Sequence, residues 1–398
     1  MLPPPRATTI QDVLAESLGG PVDMAARFER RLSETGLKSS QVAKLLGIER
    51  KSLDLILKGA SKQPSLANLM KVAEFLGLEL HSVVASLLQG QSRESVGALD
   101  SARKATFVAD HFDLPRLKAS GFIERVDDLP AIEARVCAYF GLDRLEEYSG
   151  IEAGVLYSKT KNPYTNKMID FWMKSASGYF DMLQSDRPYS RESLAALVPK
   201  IRGYTRDVAG GLPTVIRALY NAGVTVLYQQ HLAKTSIRGA TMLVKDKPCI
   251  VITDLNKNYA TIWFALVHEL HHVLYDLDTI RDTTFHLTGE PDLFLIEQKA
   301  NEFARELLFS REKMDYVRPL INNPVVVAQA ARKHNVHPSL IYSFFQHEMA
   351  GEGKNFWGAF RDQFPDVRSL TAKLNAAAWS DASIASSVAK IKETLQLP

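Results

Sequence analysis

The chain has 398 residues, of which 46% are apolar and 23% are charged, as is usual for a soluble globular protein of two or three domains. The net charge is +3, and the only cysteines are Cys137 and Cys249, which excludes a disulfide framework and a cysteine-rich zinc site. No apolar run is long enough to span a membrane, and the first residues lack the pattern of a secretion signal. We therefore expect a cytoplasmic protein without a membrane partner.

Residues 25–80 have the pattern of successive short helices. Four segments show helical spacing of apolar residues: Ala25 to Thr35, Ser39 to Leu46, Arg50 to Lys58 and Ser65 to Leu76. Ser39 or Ser40 is expected to cap the second helix, Gly47 to take the positive φ of a turn, and Gly59 to end the third helix. This order predicts a helix-turn-helix.

The charge of this segment agrees with DNA binding. Between Arg27 and Lys62, nine Lys or Arg residues stand against four acidic residues, and phosphate contact is a sufficient reason for that excess. The segment resembles the XRE (Cro/C1) repressor family. The resemblance implies a double-stranded DNA operator as partner and a homodimer. By position, the residues that it implies at the DNA are Gln41 and Lys44 at the backbone or groove edge, and Arg50, Lys51 and Asp54 facing bases. A purely structural helical bundle is the alternative.

The middle of the chain is predicted to be helical with one small sheet. Residues 89–127 are interpreted as a linker, because their first part is polar and small, while 128–141 and 162–221 show helical spacing. Ala222 to Tyr228 predicts a strand, and Ala240 to Thr253 predicts two strands around a Lys-Asp-Lys-Pro turn. That hairpin is either an exposed edge that holds an extended peptide or a buried part of the core.

The most informative motif is His268-Glu269-Leu270-His271-His272, which follows an apolar run beginning at Ile262. At 3.6 residues per turn, His268 and His272 lie on one face of a helix, so both can reach one metal ion. Glu269 is then placed to act on a water molecule as a general base. This is the spacing of a zinc hydrolase.

A catalytic zinc ion needs a third protein ligand, and a second helix offers a carboxylate for that role. Positions 297, 300, 301 and 304 share a face of this helix, where Ala300 and Ala304 allow a close approach. Glu297 is the predicted ligand, and Asn301 is predicted to orient a ligand from behind. Glu302, about 140° round the helix, and Glu290, in a turn, are weaker candidates.

These two motifs resemble the ImmA/IrrE metallopeptidase family, whose members cleave helix-turn-helix repressors in phage and stress circuits. The stretch from Val336 to Glu348 is also similar to the segment that closes this domain. The resemblance implies a zincin-like helical domain over residues 128–350 with one Zn²⁺ per chain, held by His268, His272 and Glu297, and Glu269 as general base. Two positions depart from the family: His271 replaces a usual Gly, and Ser310 replaces a common Pro.

The sequence does not assign the remaining catalytic role to a residue. The chemistry requires a hydrogen-bond donor to the developing oxyanion, and Tyr342 and His286 are the candidates. Each of the remaining histidines of this region is interpreted as structural: His271, His334, His337 and His347.

The predicted organisation is mainly α with a small β-sheet, an α+β class: an all-α helix-turn-helix bundle joined to the helical metallopeptidase domain. Its ranges are an N-terminal segment 1–24, the helix-turn-helix domain 25–88, the linker 89–127, the metallopeptidase domain 128–350 and a helical extension 351–398. The extension is read as a loop from Phe356 to Phe364 and a helix from about Asp381 to Leu395, which packs on the body, pairs with another subunit or lies loose.

The two resemblances together are compatible with three functions. The first is a DNA-binding regulator whose zinc peptidase cleaves a repressor or antitoxin-like protein. The second is a transcription factor in which the zinc domain is a sensor or dimerisation scaffold. The third is an antitoxin that neutralises a toxin partner and represses its own promoter. Glu269 favours the first over the second, because a purely structural zinc site has no use for a general base.

Overall fold

The computed structural model describes residues 22–61, 63–89, 93–149, 167–232, 235, 237–283, 285–287, 294–371, 373–374 and 377–398. The chain divides into two compact units between Val108 and Ala109. Helices dominate, and one small sheet is present, which confirms the predicted α+β class. In the part of the chain that is described, no helix combines the length and the apolar character needed to cross a lipid bilayer.

The first unit is a bundle of short helices around one apolar core. Its helices are α1 Met24–Thr35, α2 Ser39–Leu46, α3 Arg50–Leu57, α4 Leu66–Leu76, α5 Leu80–Gln89 and α6 Arg93–His111, the last of which continues into the second unit. Phe28, Val42, Leu53 and Val72 are buried at the centre of this core. Apolar residues at helical spacing therefore hold α1 to α5 together.

The turn between α2 and α3 is built as predicted, but the cap before it is not. Gly47 has a φ of 59°, which a residue with a side chain rarely adopts. The residue that caps α2 is Lys38 rather than Ser39 or Ser40, and both serines lie inside the helix. The Lys38 amide donates to Oε1 of Gln41 at 2.8 Å, so the glutamine side chain satisfies the amide of the cap residue itself.

In the second unit, helices precede, separate and follow the strands of the sheet. They are α7 Leu114–Ala119, α8 Leu129–Phe140, α9 Lys167–Leu183, α10 Arg191–Tyr204, α11 Gly211–Asn221, α12 Tyr259–Tyr275, α13 Leu277–Thr283, α14 Phe294–Phe309, α15 Arg311–Val317, α16 Pro324–Lys333, α17 Pro338–Gly351, α18 Val367–Thr371 and α19 Ile384–Leu395. Much of the range 89–127, predicted as a linker, is thus helical, because its alanine, leucine, lysine and arginine residues favour a helix.

The sheet has the strand order β1-β3-β2-β4, with β1 Thr225–Gln229, β2 Gly239–Val244, β3 Lys247–Thr253 and β4 Phe285–Leu287. Strand β1 is parallel to β3, while β2 is antiparallel to both β3 and β4. Lys245 and Asp246 form the hairpin turn with positive φ. Because β2 and β3 are the two central strands, the hairpin that they form lies inside the sheet. The alternative that this hairpin is an exposed edge for a substrate peptide is wrong.

The C-terminal extension packs on the body of the second unit. The Arg135 guanidinium on α8 donates to the backbone carbonyls of Trp379, Asp381 and Ala382. The Gln230 amide donates to the Ala377 carbonyl at 2.9 Å, so this segment covers the outer edge of β1. Of the three arrangements considered for the extension, packing on the body is the one observed.

Candidate metal centre and nucleic-acid interface

Three potential metal ligands converge between α12 and α14. The distance between Nε2 of His268 and Nε2 of His272 is 3.1 Å, and Oε1 of Glu297 lies 3.6 Å from the first and 3.4 Å from the second. Four-coordinate zinc with bonds of about 2.0–2.2 Å keeps its ligand atoms about 3.3–3.6 Å apart. The three donor atoms thus fit the size of a zinc site, and all three residues are buried.

The outer nitrogen of each imidazole contacts an oxygen atom that fixes its ring. Nδ1 of His268 lies 3.1 Å from Oδ1 of Asn301, the orienting residue that was predicted. Nδ1 of His272 lies 2.8 Å from Oδ2 of Asp276, the residue that follows the last turn of α12. With the proton of each ring on Nδ1, the lone pairs of both Nε2 atoms point at each other and at a carboxylate. This arrangement favours a cation between them.

The electrostatics around the cluster also favour a cation. Burial lowers the pKa of His272, but hydrogen bonds to Asp276 and Glu297 outweigh it and raise that pKa to about 9. Burial raises the pKa of Asp276, yet hydrogen bonds from His271 and His272 bring it well below its usual range. Carboxylates therefore surround His272 closely enough to stabilise positive charge at this point. Asp276 was not singled out from the sequence, although its spacing from His272 is that of a neighbour on one helix face.

Glu269, the predicted general base, is fully buried against strand β2. The Thr241 hydroxyl donates to Oε2 of Glu269 at 2.7 Å. A Cβ atom on Gly239 would lie 2.6 Å from Oε1 of the same carboxylate, so only glycine leaves room for it. The strand thus holds the carboxylate from two sides. Neither Gly239 nor Thr241 was predicted, because both lie far from Glu269 in the sequence.

A cavity of about 790 Å³ adjoins the cluster. Glu297 and Asn301 form part of its wall, and Phe264, Phe344 and Trp357 give it apolar surfaces. Its volume lies in the range of sites that bind peptides or small molecules. Glu302, the weaker carboxylate candidate, lines the cavity and accepts a hydrogen bond from Gln298 at 3.3 Å without joining the cluster.

His271 does not point at the three converging ligands. Its ring packs against Phe303 and Tyr275, and its Nδ1 lies 3.3 Å from Oδ2 of Asp276. His271, His272 and Asp276 form a second group whose ligand atoms lie near one another, but it uses the Nδ1 face of His272. The ring therefore fills the space beside the cluster that glycine would leave open.

Of the two predicted oxyanion donors, Tyr342 is the one with a described side chain, and it does not line the cavity. Tyr342 is buried with its ring 4.7 Å from that of Phe360. Because every position from Ser339 to Gln346 is buried, helical spacing does not distinguish a face toward the site there. The backbone of His286 pairs with Thr241, and its side chain, like the whole of Glu290, lies outside the described residues.

The other histidines make structural contacts. His337 caps α17, where its Nδ1 accepts from the Ser339 amide at 3.1 Å, and His334 packs against Phe309. His347 contacts Trp357 and lines the cavity. Partial desolvation, with a smaller contribution from the positive charge of Arg238, lowers the pKa of His347.

In the first unit, the predicted DNA-binding residues lie on the outer faces of α2 and α3. Gln41, Lys44, Arg50 and Lys51 are exposed, and Asp54 is half-buried. The outward arc of α3 also contains Leu55, 39% exposed, a large apolar residue among charged ones that was missed from the sequence. Its position one turn after Lys51 would have revealed it.

Comparison with protein families agrees with this geometry. Residues 27–81 match the family model of the Cro/C1-type helix-turn-helix DNA-binding domain. No curated protein matches the chain, and no solved structure does. The match confirms the predicted helix-turn-helix domain.

Proposed function

We propose that this chain, a DNA-binding regulator with a Cro/C1-type helix-turn-helix domain over residues 27–81, uses its second unit as a zinc-dependent metallopeptidase. The observation that carries the proposal is the convergence of His268, His272 and Glu297 beside a buried glutamate. A structural zinc site is closed by four protein ligands, whereas three ligands with a carboxylate beside them suit hydrolysis. The resemblance to the ImmA/IrrE family supports the same conclusion.

His268, His272 and Glu297 would hold the zinc ion, and Asn301 and Asp276 would keep the two imidazoles in the orientation that presents Nε2. Zinc held there would supply Lewis acidity, which polarises a peptide carbonyl and lowers the pKa of water to about 7. Exclusion of bulk water from these buried side chains strengthens every charge interaction between them.

Glu269 would move the proton. Its carboxylate accepts a proton from the attacking water and passes it to the leaving amine, so no covalent intermediate with the protein is needed. The Thr241 hydroxyl donates to Oε2 of Glu269 and would hold the carboxylate in place for this task. Gly239 provides the space in which the carboxylate sits.

The helix-turn-helix domain would direct this activity to an operator. Lys44 suits a phosphate contact, and Arg50 and Lys51, at the start of α3, suit base edges in the major groove. Leu55 suits an apolar contact with the methyl group of a thymine. A homodimer would bind a two-fold operator, and the proposed substrate is a repressor or antitoxin-like protein in the cytoplasm.

The test compares the wild type with Glu269→Gln, each analysed for metal and then incubated with lysate of the source cell. We expect about one zinc per chain in both proteins and new protein termini, read by mass spectrometry, only with the wild type. Zinc in both proteins without new termini would move the assignment to a regulator whose zinc domain is a sensor or scaffold. Loss of zinc from Glu269→Gln would contradict the assigned roles.

A further inference from the structure

We infer that the cavity beside the cluster binds an acidic group of the substrate through the guanidinium of Arg305, an inference that rests on the proposed peptidase function. Glu297, Asn301 and Arg305 follow one another at four-residue spacing on α14, and all three line the cavity. A substrate that reaches the metal ligands along this cavity therefore also passes Arg305.

Arg305 is held rigidly while one of its donors makes no bond. Its side chain is 9% exposed, Nη2 donates to Oε1 of Glu348 at 2.6 Å, and the guanidinium lies 4.3 Å from the ring centre of Phe344. Among the described residues, the buried Nη1 has no hydrogen-bond partner. A buried guanidinium donor without an acceptor is costly, and a carboxylate oxygen would satisfy it.

The carboxylate of Glu348 does not belong to Arg305 alone. Arg318, which does not line the cavity, also donates to Glu348 at 2.6 Å. One carboxylate thus serves two guanidinium groups, although Arg318 also lies 3.6 Å from Glu352. The positive charge of Arg305 is therefore only partly compensated from within the protein.

The remaining charges of the cavity wall favour an anion at this end. Arg238 and Arg311 also line it, and neither forms an ion pair with any residue of the described ranges. Of the acidic residues in the wall, Glu297 belongs to the proposed zinc site, Glu348 is already paired, and Glu302 accepts a hydrogen bond from Gln298. An incoming carboxylate at Arg305 would thus meet the positive charge of three arginines, opposed in the wall mainly by Glu302.

The spacing along α14 sets where the acidic group lies on the substrate. Arg305 follows Glu297 by eight residues, which is about 12 Å along a helix axis. An extended peptide covers about 3.3 Å per residue, so the acidic group is expected about two to four residues from the scissile bond. Either an Asp or Glu side chain or a C-terminal carboxylate meets this description.

The first test profiles the cleavage sites of the full-length protein in a library of proteome-derived peptides. We expect Asp or Glu to be enriched at one position near the scissile bond, and Arg305→Gln to lower that preference about 10- to 100-fold, the loss of a charge-assisted hydrogen bond. Cleavage at a fixed distance from the C-terminus would identify the terminal carboxylate as the group bound. Cleavage by the wild type without either preference would overturn the inference and leave the peptidase proposal intact.

A second test does not depend on catalysis. Random dodecapeptide pools with either Glu or Gln fixed at one central position are titrated into zinc-loaded Glu269→Gln, and binding is followed by the fluorescence of Trp357, which lines the cavity. The Glu pool should bind about tenfold more tightly, and adding Arg305→Gln should abolish that difference. Equal binding of both pools, or no binding of either, would exclude an acidic subsite.

Arg318→Gln is the matched control, because it breaks a bond of the same length to Glu348 but leaves the cavity wall unchanged. It should keep the preference for Glu. Arg305→Lys keeps the charge without the fork of donors and should retain part of the preference, which separates recognition from misfolding. A preference that survives Arg305→Gln would also overturn the inference.

Discussion

In the helix-turn-helix domain the residues proposed to touch DNA are exposed, whereas in the second unit the residues proposed to hold zinc and move a proton are buried. Lys44, Arg50 and Lys51 point away from a core that α1 to α5 form without them. His268 and Glu269 are 1% and 0% exposed, and they are part of the packing between α12, α14 and β2. The residues proposed to contact DNA thus lie outside the core of their domain, whereas the cluster of His268, His272 and Glu297 is part of the packing of its unit.

This difference in exposure decides how the effect of a substitution can be interpreted in each unit. On the exposed face of α3, a side chain can be removed with little effect on stability, so a loss of binding reports on DNA contact. Around the cluster, each side chain has both a chemical and a packing role, so a loss of activity has to be accompanied by a measurement of zinc and of folding. The predictions below separate the two cases, beginning with the largest effect.

His268→Ala should abolish zinc binding and peptide cleavage but leave operator binding unchanged. Removal of a direct ligand should weaken zinc by more than the about 10- to 100-fold that the loss of an orienting residue costs. Metal analysis after dialysis and a DNA titration on the same sample would show both outcomes. If the alanine variant kept one zinc per chain, the cluster would not be the site.

Gly239→Ala should lower the cleavage rate about 10- to 100-fold while zinc content stays near one per chain, because displacement of a general base forfeits part of its contribution. The new Cβ would lie 2.6 Å from Oε1 of Glu269 and force the carboxylate to move. Gly351→Ala is the control, since nothing lies within 4 Å of a Cβ at that position. Equal rates in both variants would contradict the role of this close approach.

Asp276→Asn should weaken zinc binding about 10- to 100-fold, the usual cost of losing the carboxylate that orients a histidine ligand. The variant keeps the shape of the side chain but removes the charge that faces Nδ1 of His272. Competition with a chromogenic chelator measures the change, and Asp278→Asn, a fully exposed neighbour, should have no effect. Unchanged zinc affinity in Asp276→Asn would show that His272 needs no such partner.

The smallest effect concerns a single methyl group on DNA. An operator selected from random sequences is resynthesised with uracil in place of each thymine in turn, which removes only the methyl. At one position the wild type should lose about fourfold in affinity, since a buried methyl is worth about 0.8 kcal/mol, and Leu55→Ala should lose nothing further there. Leu45→Ala, which removes an exposed leucine on α2 instead, should stay sensitive. Insensitivity of the wild type at every thymine would exclude the contact.

The parts of the site that the sequence predicted are those set by spacing within one helix. His268, Glu269 and His272 lie within two turns of α12, and Glu297 and Asn301 lie one turn apart on α14, so periodicity was sufficient to group them. Asp276 follows the same rule and was within reach. Thr241 was not, because its contact with Glu269 depends on how a strand is registered against a helix. Tyr342 shows the converse, since a helical stretch that is buried on all sides has no readable face.

The outer edge of β1 affects the order in which the two units can fold during synthesis. The backbone hydrogen bonds at this edge are made with Ala377, and the Arg135 guanidinium donates to the carbonyls of residues 379, 381 and 382. All of these partners are synthesised late. The helix-turn-helix domain has all its core residues as soon as α5 is synthesised. On the ribosome, the DNA-binding domain is therefore expected to fold early. The unit that contains His268, His272 and Glu297 is expected to complete its fold only after its last segment has emerged. A chain cut short before residue 377 would leave a bare strand edge, the usual starting point for aggregation.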